Sequence, residues 1–130
     1  MDIDIKKLEE METALQLMAE ENGLACNYLF TTSFARYKRQ MRTLIELGKK
    51  CKEVISNGEL MVTKGYVKDR ENIYMHPVVQ QFDRTTDSAN KTVATLLKIL
   101  KSFGVDNAED AVDPLMDIIN GGDADDSQGI

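Results

Sequence analysis

Val78, Phe82, Thr85, Ala89, Val93, Leu96, Leu97, Leu100 and Phe103 follow one another at intervals of mostly three and four residues. Residues so spaced lie one above another on a single side of an α-helix. A stripe this long commits the chain to a helix over 77–103 and demands other helices to cover it. Pro77 suits the first helical position, because its missing N–H would have no partner there. Gly104 tolerates the left-handed conformation that ends a helix, and Val105 can pack back as the apolar partner of such an end.

The same logic predicts three further helices. Ile5, Leu8, Met11, Leu15 and Met18 form a stripe over 3–21, stopped at Asn22-Gly23. Over 24–56, Cys26, Leu29, Phe30, Tyr37, Met41, Leu44, Leu47, Gly48, Cys51 and Ile55 share one arc of a helical wheel. Arg36, Lys38, Arg39, Arg42, Lys49, Lys50 and Lys52 spread over the rest, with Glu46 and Glu53 among them. Ala111, Val112, Leu115, Met116, Ile118 and Ile119 make a short amphipathic segment over 108–119. Asn107 with Asp110 resembles a capping pair there, and Asp113-Pro114 is expected to break or restart that helix.

Between the two long helices, Leu60-Met61-Val62-Thr63, Lys64-Gly65, Tyr66-Val67 and Ile73-Tyr74-Met75 read as a small β-hairpin over about 59–75. A two-stranded hairpin is marginal alone in water, so it should pack on the helices or on a neighbouring subunit. The expected fold is mainly α: a helical hairpin of long helices, with the β-hairpin between them and a short C-terminal helix. One domain spans 1–120, and an acidic tail, 121–130, holds too little apolar content to order itself. Few aromatics, no Trp and two prolines in 130 residues agree with a helical class.

Charge is distributed unevenly. Net charge is −6, yet residues 36–53 carry seven Lys/Arg against two Glu, while 106–130 carry eight Asp/Glu and no base. A basic helix in an acidic chain is either a solvated face or an electrostatic footprint for a polyanion. Cys26 and Cys51 fall in one expected helix, roughly 37 Å apart at about 1.5 Å per residue, and so should not pair. They read as small hydrophobes in a reducing compartment. No apolar run approaches membrane-spanning length, and the acidic N-terminus lacks a secretory h-region.

Catalytic signals are absent. The single histidine, His76, has no nucleophile or acid at a suggestive spacing, and should instead fix entry into the helix beginning at Pro77. Two Cys and one His give no zinc spacing, and no phosphate-cradling glycine motif occurs. No metal, no cofactor and no enzymatic activity are expected.

Tyr28, Phe34-Ala35-Arg36-Tyr37, Asn57-Gly58-Glu59-Leu60, Gly65-Tyr66-Val67, His76-Pro77 and Leu96-Leu97…Leu100…Phe103-Gly104-Val105 occur in that order. In order and spacing they resemble the phage terminase small subunits, over roughly residues 28–105. The resemblance implies a non-catalytic, ring-forming homo-oligomer in the host bacterial cytoplasm. Such a subunit binds double-stranded viral DNA at packaging initiation and regulates the terminase large subunit, which carries the ATPase and nuclease. The chain departs from the family in two places. Asp106-Asn107-Ala108-Glu109-Asp110 is acidic where the family often has a Pro- and Arg-containing stretch. The N-terminal helix lacks the family's Trp and Asp-containing turn.

On that reading the DNA contacts fall to Arg36, Arg39, Arg42, Lys49 and Lys50, with Lys64, Lys68 and Arg70 of the hairpin as second candidates. Lys and Arg contacts to phosphate release counterions and make binding salt-dependent. Leu115, Met116, Ile118 and Ile119, with the acidic tail, are the candidate docking element for the large subunit; packing inside the assembly is the alternative. The rival class is a helical adaptor or regulator whose basic helix meets an acidic protein partner.

Overall fold

The computed structural model describes residues 3–58, 61–67 and 70–121, and of 61–67 and 70–75 only the backbone. Four helices carry the fold: α1 (Ile5–Glu21), α2 (Tyr28–Ser56), α3 (Pro77–Ser102) and α4 (Ala108–Ile119). The longest two, α2 and α3, form the principal packed pair; α4 packs on α3, and α1 on α4.

Three of the four helix starts are capped by a side chain. Asp4 accepts a hydrogen bond from the Lys7 N–H at 3.2 Å, and Asn27 one from the Phe30 N–H at 3.0 Å. Because Asn27 is the cap, the second helix begins at Tyr28, not at Leu24 as the pattern suggested. Cys26 is therefore outside that helix and exposed, whereas Cys51 is buried within it; both are free thiols. His76 caps α3 by accepting the Val78 N–H on Nδ1 at 3.1 Å, and Pro77 follows in the first turn.

Two helix ends repeat one device. Beyond α1, Gly23 has φ +74°, the Gly23 N–H donates to Glu20 O, and the Leu24 N–H donates to Ala19 O at 2.7 Å. Beyond α3, Gly104 also has φ +74°, its N–H donates to Lys101 O, and the Val105 N–H donates to Leu100 O at 3.0 Å. Both pairs of bonds satisfy carbonyls that a helix end leaves open. Leu24 and Val105 then fold back into the core.

The core is continuous and drawn from all four helices. Leu8, Leu15 and Ala19 of α1 meet Phe30, Phe34, Tyr37, Met41 and Leu44 of α2, Ala89, Val93, Leu96 and Leu100 of α3, and Ala108, Val112, Leu115, Ile118 and Ile119 of α4. Burying each large side chain stabilises by about 1.5–3 kcal/mol before chain entropy is counted. The Phe30 and Phe34 rings pack tilted, with centroids 5.5 Å apart.

Several expectations need correction. The packed fold is a four-helix, all-helical body rather than a helical hairpin with a β-hairpin built into it; among the described residues the core is drawn from the helices and the turns that end them. The backbone of Met61–Val67 does pair antiparallel with Arg70–Met75, Met61 opposite Met75. Helices alone suffice to cover the apolar stripes, so the fold class is set by them. Leu29 and Ile55, assigned to the apolar arc of the second helix, are exposed, as is Ile5 of the first. Phe34, Ser33 and Val54 take buried places instead. Asn107 has φ 58° and makes no side-chain cap, and α4 runs through Pro114 without a break. Residues 122–130, the rest of the expected tail, lie outside the described residues.

Candidate nucleic-acid interface

Of the eight basic residues singled out by sequence, the structure separates three kinds. Arg42 is committed within the chain. Its Nη1 and Nη2 donate to Glu12 Oε2 and Oε1 at 2.5 and 2.8 Å, a two-pronged ion pair that ties α2 to α1. The Glu12 side chain is 9% exposed against 46% for Arg42, so the arginine is the solvent-side cover of a buried carboxylate. The hydrogen bond with Glu12 is the main cause that raises the Arg42 pKa above its ordinary value. Arg42 is thus a structural residue first, because α1 supplies a carboxylate that the α2 pattern alone cannot reveal.

Lys49 pairs with Glu46 at 3.3 Å on the α2 surface. Both side chains are well exposed, and such pairs contribute little, so Lys49 remains able to exchange Glu46 for another anion. Arg36, Arg39 and Lys50 are exposed and form no ion pair among the described residues. At i, i+3 and i+14 they share one side of α2. Lys64 and Arg70 lie on the paired strands, where only backbone is described, and Lys68 lies outside the described residues.

Two grooves flank α2, and their chemistry is opposite. Glu9, Glu12, Thr13, Gln16, Leu17 and Glu20 of α1, with Phe34 and Lys38 of α2, line one of about 620 Å³. Lys38 there extends over the Phe34 ring, its Nζ 4.7 Å from the centroid. With Glu12 paired to Arg42, Glu9 and Glu20 still outnumber Lys38, so this side disfavours phosphate. On the other side, Arg39, Gln40 and Thr43 of α2 face Gln81, Arg84, Thr85 and Ser88 of α3 across a groove of about 320 Å³. Its charged lining is two arginines and no carboxylate.

Arg84 was absent from the residues singled out by sequence. Its spacing did hold a signal: Gln81, Arg84, Thr85 and Ser88 follow at i, i+3, i+4 and i+7, a polar stripe beside the apolar one. What could not be read was that this stripe lies opposite Arg39.

The docking candidates lie on α4. Leu115, Ile118 and Ile119 are buried, and Met116 packs partly buried against the same core. These side chains of α4 are taken up by packing against α1 and α3. Among the described residues no group of three His, Cys, Asp or Glu could hold a metal ion, and no helix is long and apolar enough to cross a membrane. Compared with known proteins, the chain matches no family model, no curated protein and no solved structure.

Proposed function

We propose that this chain is a phage terminase small subunit, a non-catalytic protein that binds double-stranded viral DNA at packaging initiation and regulates the large ATPase-nuclease subunit. The reading rests on the ordered motifs between Tyr28 and Val105. The observation that carries the DNA-binding part is the placement of Arg36, Arg39 and Lys50, solvent-facing and without ion pairs among the described residues, on one side of a helix in a chain of net charge −6. A net-negative protein retains such a surface against its own average charge, and acidic α1 on the far side of α2 would orient a polyanion toward it.

A homo-oligomeric ring is part of the reading. It would multiply a weak patch through effective concentration, so that one subunit needs little affinity of its own. The host bacterial cytoplasm would be its compartment. Contact with the large subunit is not assigned to α4, whose apolar side is occupied.

Native mass spectrometry of the purified chain, with and without a duplex from its phage's packaging region and across a salt series, tests this. The expected result is a closed species of many copies whose DNA binding falls steeply with salt, by about one counterion per phosphate contact. A monomer or dimer indifferent to DNA would overturn it and put a protein-binding adaptor in its place.

A further inference from the structure

We propose that the groove between α2 and α3 is a phosphate-binding site, with Arg39 and Arg84 gripping one phosphate group from opposite walls. As a contact to DNA it rests on the function proposed above; as a phosphate site it stands on the groove itself. The two helices meet there with Arg39, Gln40 and Thr43 on one wall and Gln81, Arg84, Thr85 and Ser88 on the other. Every residue of this lining can donate a hydrogen bond, and none is acidic or purely apolar. Guanidinium groups suit phosphate oxygens because their planar forks donate in pairs, and hydroxyls and amides complete the shell.

One wall residue is held in place by its neighbour. Thr85 is buried and accepts from Gln81 Nε2 at 3.4 Å, which orients the Gln81 amide along the groove wall. Gln40 Oε1 is buried and has no hydrogen-bond partner, so no bond to that atom fixes this amide. Ala89 and Tyr37, on the same two helices, are wholly buried, so α3 and α2 are each anchored in the core. Arg39 and Arg84 make no ion pair among the described residues. The nearest acids in helical register are Glu46 and Asp87; Glu46 is engaged with Lys49.

Further cations lie along both helices beyond the groove. Arg36 lies one turn before Arg39 on α2, and Lys91 two turns after Arg84 on α3. Cys51 of α2 lies against Val78 of α3, its Sγ 3.9 Å from the Val78 carbonyl, while Arg39 of α2 shares the groove with Arg84 of α3; the helices therefore run antiparallel, and Arg36 and Lys91 fall toward the same end. A chain of phosphates entering at that end would meet Arg36 and Lys91, and pass Asp87 between Lys91 and Arg84 on α3, before reaching Arg39 and Arg84. A single free phosphate would use only Arg39 and Arg84. The two sources of phosphate therefore differ in how far the binding footprint extends.

The test is a two-dimensional NMR titration of the full chain, once with inorganic phosphate and once with a short duplex, backed by binding assays on Arg39→Gln, Arg84→Gln and the control Lys38→Gln on the opposite side of α2. Circular dichroism checks that each variant is folded. The expected result is that duplex perturbs residues 36–43 and 81–91, and that each groove variant weakens duplex binding about 5- to 10-fold and lowers the salt slope by about one, with the control within about twofold. Perturbation of the groove by inorganic phosphate alone, without duplex binding, would keep the site and remove the DNA function. Duplex binding that both groove variants leave unchanged would overturn the site and keep the function. Silence toward both probes overturns both. Should a groove variant unfold, the footprint on the unmodified chain decides alone.

Discussion

Tyr37 shows how much a single side chain can owe to its neighbours. It is wholly buried between the helices, yet its hydroxyl has no hydrogen-bond partner. Burial, and then the nearby Glu12 carboxylate, push its phenol well above the usual range, with Arg42 opposing. The ring packs as a hydrophobe and the hydroxyl is carried along unsatisfied. Removing an unpartnered buried polar group is neutral or favourable, unlike removing one half of a hydrogen bond. Tyr37→Phe is therefore expected to leave the thermal midpoint unchanged or raise it, by up to about 1 kcal/mol in stability. A clear loss in calorimetry would show that the hydroxyl has a partner. Arg42 belongs to the same group: its basic character was plain in the sequence, but its role as cover for Glu12 was not, because thirty residues separate the two.

Among the elements, the helix ends are the most strictly determined. Gly104 stands in left-handed conformation with open space around the position of a Cβ. An alanine there would meet no clash and would pay only conformational strain, about 1 kcal/mol. Gly104→Ala should lower stability by roughly that amount in chemical denaturation, with an unchanged m-value. No change would mean that the α3 end is held by Val105 packing instead. The glycine stops and the His76-Pro77 start were legible because they rest on local chemistry, whereas the Asp4 and Asn27 caps went unread beneath the apolar pattern. Helical character was legible from periodicity for the same reason. The local reading failed at Pro114 and Asn107, where packing of Val112, Leu115 and Ile118 holds a helix that its own signals would have interrupted.

At the scale of the whole molecule, the four helices share one core, so no element can be assigned a partner-binding face from its amphipathicity alone. Leu115 makes the point. It is fully buried where α4 meets the body. Leu115→Ala is expected to cost about 2–5 kcal/mol and to lower the melting temperature well before it affects any interaction. A docking residue would show the reverse, so thermal unfolding beside a pull-down separates the two. Reciprocal hydrogen bonds between Asn90 and Asn120, at 3.1 and 3.2 Å, and the Lys101–Glu109 ion pair at 2.7 Å further tie α4 to α3.

The amino-acid order by itself determined the helices as helices, their glycine stops and the concentration of positive charge on one of them, because each depends on neighbours within a turn or two. Tertiary structure alone decided which charges remain free. Arg42 lost its availability to a carboxylate from α1, Arg39 gained Arg84 from α3, and the apolar side of α4 closed into the core. Each outcome needs residues distant in sequence to meet, and pairing and burial depend on that meeting rather than on composition or spacing.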